Sequence, residues 1–445
     1  MIRLGAGAGF AGDRIDPAVD LVTRGELDVL VFECLAERTI TNAQAALFEG
    51  RGPGYDPLWR ERLLATLSPA RARDTTIISN SGAANPQGAG RLVLDVAREL
   101  GLKGLTVAVA DGDDVLDRLK LADSPVLGGR DGETIEDHRD VLVGAHAYLG
   151  VDAILQGLQA GADVVVTGRT SDAALFLAPL MHRFGWSTDD LDLLAAGSTI
   201  GHLLECAGQL TGGYFADAVR KDVPQLARLG FPMADVEANG AAHFSKLPGT
   251  GGRLDRATTL EQLLYEVGDP SAYVTPDVVV DLQGVRIDET GPDQVQVSGA
   301  LGRPRPETLK VSVGVRDGFL STAEISYAGP AAVTRAELAA SVVAERWRDV
   351  HGLGHVEVSE QLIGVNACTP WSTAGGSEPT EVRLRLVTRT TDERAAILLG
   401  REVEALYTNG PAGGGGVVTS VAPTLGLLST TIPRADVVPA MTVLR

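Results

Sequence analysis

With 445 residues, the chain is longer than the ~250–300 residues over which one core usually grows, so two or three domains are expected. Apolar residues make up 44% and charged residues 22%, an ordinary globular balance that excludes extended disorder. The 39 Lys and Arg against 58 Asp and Glu leave a net charge of −19, which opposes binding to nucleic acid or an anionic membrane surface.

The opening MIRLGAGAGFAG has neither the cationic start nor the apolar core of a secretion signal, and no run of 18 apolar residues follows. The cysteines Cys34, Cys206 and Cys368 are odd in number and lack a short metal-binding spacing. Reduced thiols and a cytoplasmic location are therefore expected, without membrane insertion.

The first half alternates apolar strands with helical stretches. Strands are predicted at DVLVF (28–32), TTIIS (75–79), LTVAVA (105–110) and DVVVT (163–167), each apolar throughout, as in a parallel sheet buried on both faces. Helices are predicted at PAVDLVTRG after Asp16, then at PLWRERLLATL, PQGAGRLVLDVAREL and VDAILQGLQAG. The fold class is thus α/β, a Rossmann-like wound and mainly parallel sheet with helices on both faces, over residues 1–215. Residues 216–305 are less regular, with LPGTGG before VVVDLQGVRI and QVQVSG, and read as a connecting or substrate-lid region. From 306 to 445 the order is strand, helix, strand, strand, helix, strand, which predicts an α+β ferredoxin-like βαββαβ unit.

Polar turns follow the buried strands. Strand 28–32 runs into Glu33 and Cys34, strand 75–79 into Asn80, Ser81 and Asn85, strand 105–110 into Asp111, and strand 163–167 into Arg169, Ser171 and Asp172. If the strands are parallel, these turns gather on the sheet edge where α/β folds bind ligands. Each turn taken singly is also ordinary helix-start chemistry.

Gly7, Gly9 and Gly12 match the dinucleotide pattern, with Glu33 at a later strand end. Against that reading, the preceding strand is expected to be short and the next helix to begin near Pro17, too late to meet a pyrophosphate. His202 and Glu205 stand at i, i+3 on one helical face, with Cys206 at i+4 from His202. They form either a proton-transfer pair with an activatable thiol or a surface pair beside a core cysteine. Asp111, Asp113, Asp114, Glu133, Asp137, His138 and His146 could offer a divalent metal site, but no compact spacing supports one, and no metal is assigned. Lys246 before LPGTGG, and the YTNGPAGGGG loop, could hold an anion or act as hinges.

The strings GAGAGFAGDR, ECLAE, SGAANP, DGDD, AYLG, GADVVVTGRTSDAALFLAPL, AAGSTIGHLLECAGQLTGGYF, LPGTGG, LLYEVGDPSAYVTPDV, VSGALGRPRPETLKVS and YTNGPAGGGG resemble the acyclic terpene utilisation (AtuA-like) family. That resemblance covers nearly the whole chain and implies metabolism of a branched or unsaturated acyl compound, with a coenzyme A thioester as a candidate substrate. It supplies no catalytic residue set.

A cofactor-independent lyase or hydratase is the leading expectation. Arg169 would clamp a substrate carboxylate, Asp172, His202 and Glu205 would move protons, and Glu33, Asn80, Asn85, Asp111, Ser171 and Lys246 would bind substrate. A dinucleotide-dependent oxidoreductase and a non-enzymatic scaffold are the alternatives. A homo-oligomer is expected on general grounds.

Overall fold

Uninterrupted Val and Ile runs form strands with no solvent face, and alternating runs form strands with one. A computed structural model describes residues 1–369 and 379–445. In chain order it begins with β1 (Ile2–Ala8), α1 (Asp16–Arg24), β2 (Val29–Phe32), α2 (Glu37–Phe48), α3 (Trp59–Ala72), β3 (Thr76–Ser79), α4 (Pro86–Glu99) and β4 (Val107–Asp111). Next come β5 (Leu142–Ala147), α5 (Asp152–Gln159), β6 (Val164–Thr167), α6 (Ala174–Phe184) and α7 (Leu191–Glu205). They are followed by β7 (Pro232–Val236), β8 (Ala242–Lys246), α8 (Arg256–Leu263), β9 (Tyr273–Val274), β10 (Val279–Asp281), β11 (Arg286–Gly291), β12 (Gln294–Ser298) and β13 (Leu301–Arg303). The chain closes with β14 (Thr308–Ala328), α9 (Ala332–Glu345), β15 (Ser359–Ile363), β16 (Glu381–Thr390), α10 (Glu393–Asn409), β17 (Gly415–Pro433) and β18 (Ala440–Leu444).

The fold is a mixed α/β one, built on a ten-stranded sheet in the order β11-β12-β8-β7-β1-β2-β3-β6-β4-β18. Its central strands β1, β2, β3, β6 and β4 pair in parallel, and antiparallel strands extend both edges. Every residue of β2 and β6 is buried, as the unbroken VLVF and VVVT runs require. Helices α1, α3 and α4 form one contacting group, and α5, α6 and α7 another. Each Val, Leu or Ile enclosed by these layers contributes roughly 1.5–3 kcal/mol relative to exposure.

Two findings differ from the sequence expectations. The first strand is not short: β1 runs for seven residues through Gly5 and Gly7. A Cβ on Gly5 would lie 2.5 Å from Leu27, and one on Gly7 would lie 2.7 Å from the Phe32 ring, so glycine serves close packing there. Residues 216–305, expected as a connecting or lid region, are also part of the main sheet. They supply β7, β8, β11 and β12 to the main sheet, and Val236, Phe244, Val295 and Val297 join the core formed by the first 215 residues. The strand-like QVQVS forms β12, which alternates buried and more open residues between β11 and β8.

The chain divides into two compact units, Met1–Gly314 with Leu427–Arg445, and Val315–Gly426. These boundaries do not coincide with the expected divisions after 215 and 305, because the middle segment shares the first core. The smaller unit packs its two helices around its own core, which includes Tyr327, Trp347, Leu384 and Leu399. Its sheet order is β15-β16-β14-β17, and β16 buries alternate residues. No described helix is long and apolar enough to cross a membrane.

Candidate functional site

Parallel strands release their chains at a common edge, and a cavity of about 970 Å³ opens at that edge of the larger unit. Gly9 follows β1, Glu33 follows β2, and Ser171 and Asp172 follow β6 along its wall. The end of α7 brings His202, Glu205 and Cys206, while Tyr148 and Lys310 close another side. Tyr148 is placed by its backbone N–H, which donates to the Lys310 carbonyl at 2.9 Å, in keeping with the pairing of β5 and β14.

Glu33 is held by one oxygen. Its Oε1 accepts from Asn80 Nδ2 at 2.9 Å and from the Leu35 N–H at 2.8 Å. Asn80 is itself fixed, because its Oδ1 accepts the Cys34 N–H at 2.7 Å. With Oε1 committed as an acceptor, a proton on this carboxyl belongs on Oε2. Burial raises the Glu33 pKa, opposed by Arg169 and Asn80 and assisted by Glu205.

Asp172 is tethered to Arg169, whose Nη2 donates to its Oδ1. Its side chain keeps 34% of its surface open. Removal from bulk water pushes this carboxyl well above the usual range; the Arg169 charge opposes the rise, and Glu33 and Glu205 add to it. Two acids thus share one cavity wall with raised proton affinity, a pattern that marks functional sites.

His202 is 1% exposed, and its ring lies 5.0 Å from that of Tyr273. Its Nδ1 meets Glu205 Oε1 at 2.9 Å, and its Nε2 meets the Leu263 carbonyl at 3.2 Å. A carbonyl only accepts, so Nε2 carries hydrogen, and Nδ1 shares the other hydrogen bond with the Glu205 carboxyl. Burial opposes charge on the ring, but Glu205 outweighs it and the His202 pKa is raised. Both ring nitrogens are occupied, so the histidine orients Glu205, whose Oε2 is buried without a hydrogen-bond partner.

Arg169 corrects the sequence expectation. It is 1% exposed and does not line the cavity. Its Nε and Nη2 donate to the Thr170 carbonyl at 2.9 and 2.5 Å, and its Nη1 donates to the Leu35 carbonyl. The guanidinium lies 4.3 Å from the centre of the Tyr148 ring. Its fork is consumed by the protein, so it positions Asp172 and leaves no pair of donors to clamp a substrate carboxylate.

Other expected contacts also fall outside the lining. Asn85 caps α4, accepting the Gly88 N–H at 2.9 Å and donating to the Pro53 carbonyl at 2.8 Å. Asp111 accepts the Gly112 N–H at 2.8 Å. Lys246 pairs with Asp293 at 3.0 Å and donates to the Thr250 carbonyl at 3.0 Å. Asn80 acts through Glu33 rather than from the wall. Of the substrate-binding set, Glu33 and Ser171 reach the cavity, and Ser171 is anchored by its N–H to the Leu149 carbonyl at 2.8 Å.

The glycines at the start have packing duties as well. A Cβ on Gly9 would collide with the Cys206 carbonyl group, so this residue lets β1 and the end of α7 touch. The following helix begins at Asp16, four residues past Gly12, and its N-terminus has no glycine turn directly before it. The Cys206 thiol is pushed far up by burial and by Glu205, which opposes thiolate chemistry. Among the described residues, no group of three or more His, Cys, Asp or Glu could hold a metal ion.

Sequence reasoning missed Glu37, Tyr148, Tyr273, Glu266 and Lys310, all of which line the cavity. Tyr148 donates its hydroxyl to Glu37, and Lys310 Nζ pairs with the same carboxylate at 3.0 Å. Burial would raise the Glu37 pKa, but these two partners win and lower it to about 2. All five lie inside strings that carry the family resemblance, which was the available signal.

The family description "Acyclic terpene utilisation family protein AtuA" matches residues 2–443, essentially the whole chain. The chain belongs to this acyclic terpene utilisation family. No curated protein and no solved structure matches it. The AtuA family is implicated in acyclic terpene utilisation, and the cavity described above is this member's candidate site.

Proposed function

We propose that this AtuA-family chain is a lyase or hydratase that acts by general acid–base catalysis on a branched or unsaturated acyl substrate. The observation that carries the reading is the meeting, in one cavity, of Glu33 and Asp172, both of raised pKa, with Glu205 bound to His202. In this reading Glu205, oriented by His202, removes a proton next to the acyl carbonyl. A protonated Glu33 or Asp172 delivers its proton to the departing hydroxyl, which leaves as water; the reverse sequence hydrates the double bond. Arg169 and His202 touch the acids and hold them in place.

The mouth of the cavity supports an apolar chain. Phe10, Tyr214, Leu226 and Val274 line it and are 59%, 87%, 41% and 60% exposed, an apolar rim that a branched hydrocarbon would cover. A coenzyme A thioester fits this reading as the form in which such an acyl group is presented, with acyclic terpene catabolism or natural-product biosynthesis as its setting. The two helix groups support a wound sheet with helices on both faces. The order β15-β16-β14-β17 supports a ferredoxin-like smaller unit. In that unit β17 is an edge strand with Val418 and Val421 exposed, which supports the expected homo-oligomer. A cytoplasmic location accords with free cysteines.

The test follows solvent deuterium into the carbon next to the carbonyl of a branched enoyl or hydroxyacyl thioester, by NMR, in wild type, Glu33→Gln, Asp172→Asn and Glu205→Gln. Loss of a general acid or base costs about 10²–10⁴-fold, and Glu205→Gln is expected to abolish exchange with the fold retained. Wild-type exchange in all three variants would refute the proposal.

A further inference from the structure

Charge on the cavity wall bears on which form of the substrate can enter. Six acidic residues line it, Asp13, Glu33, Glu37, Asp172, Glu205 and Glu266, against the two permanent cations Arg14 and Lys310. Neither cation stands free at the floor. Lys310 is paired with Glu37 at 3.0 Å and lies 4.9 Å from the centre of the Tyr148 ring. Arg14 is exposed and donates to the Leu226 carbonyl at 3.1 Å. Arg169, a further cation nearby, has its fork turned to Thr170, Leu35 and Asp172. His202 has both ring nitrogens engaged.

A carboxylate brought to this floor would meet Glu33, Asp172 and Glu205 with no uncommitted cation among the described residues to receive it. A carboxylate there would give up water without gaining a free cation and would face the Glu205 carboxylate, which disfavours the charged form. A neutral oxygen meets the opposite situation. The free Oε2 of Glu33, when protonated, donates to a carbonyl, and the carboxylate of Glu205 accepts from a hydroxyl.

We infer that the cavity selects acyl groups in neutral form, as thioesters, esters or amides, and excludes the free carboxylic acid. The inference rests on the reading of this cavity as the acyl site, and it sets aside the substrate carboxylate that the sequence assigned to Arg169. Any negative charge on the substrate belongs outside the rim, beyond Arg14.

The experiment is calorimetric titration of the full chain with three probes that share one branched skeleton: 3-methylbut-2-enamide, 3-methylbut-2-enoate and 3-methylbut-2-enylamine. At about pH 7.5 the amide is expected to bind at least about tenfold more tightly than the acid, a ratio equivalent to about 1.4 kcal/mol. The gap should shrink below about pH 5, where the probe acid becomes neutral. An acid that binds as tightly as the amide would overturn the inference, and so would an amide that does not bind. An amine that binds more tightly than the amide would overturn it as well, since the floor would then be a cation site. Binding is read without turnover, so loss of the acid–base mechanism and loss of this selectivity are separate outcomes.

Discussion

Asp277 offers a quantitative test of how burial sets proton affinity in the larger unit. It is 6% exposed, one residue beyond the cavity-lining Pro276, and its Oδ1 accepts the Val151 N–H at 3.1 Å. A Cβ on Gly150 would collide with that oxygen, so the backbone closes around the carboxyl. Burial raises its pKa from 3.8 to about 6, against the Val151 N–H and with help from Asp152. A shift of about two units, at about 1.4 kcal/mol each, amounts to roughly 3 kcal/mol.

The native carboxyl therefore holds its proton more tightly than the unfolded one. Between about pH 4 and 6 the native state keeps a proton that the unfolded state has released, so this residue's contribution falls as pH rises, and the whole cost is present above about pH 6. The amide of an Asp277→Asn variant is neutral throughout and carries no such cost. Urea unfolding of both proteins should give nearly equal stabilities at about pH 4. At about pH 8 the variant should be more stable by up to ~3 kcal/mol, and titration of other groups cancels in the difference. A difference that does not change with pH, or a more stable wild type at about pH 8, would refute the reasoning.

Gly9→Ala should destabilise the larger unit by about 1–3 kcal/mol and reduce turnover, because its Cβ meets the Cys206 backbone and pushes the end of α7 away. Gly12→Ala, whose Cβ meets only the exposed Phe10 ring, should cost well under about 1 kcal/mol. Equal unfolding midpoints for the two variants would count against this packing role. Asn85→Ala removes the α4 cap and should cost about 1 kcal/mol with kcat unchanged. A large fall in kcat in a folded Asn85→Ala protein would return that residue to the site.

Short-range pattern was legible along the chain. Apolar runs in β2, β3, β4 and β6 specified buried strands, because such a run has no face to give to water. Spacing of three placed His202 beside Glu205, since an α-helix stacks i and i+3 whatever surrounds it. The long family strings spanned the chain. The tertiary structure decided which polar turn faces the cavity and which is spent on the protein. Asn80 and Asp172 follow neighbouring parallel strands, yet one braces Glu33 and the other opens to the cavity. Arg169 becomes a bracket through the Leu35 carbonyl, 134 residues away along the chain. Hydrogen-bond partners at such separations are set by strand order and register, and no local periodicity records them.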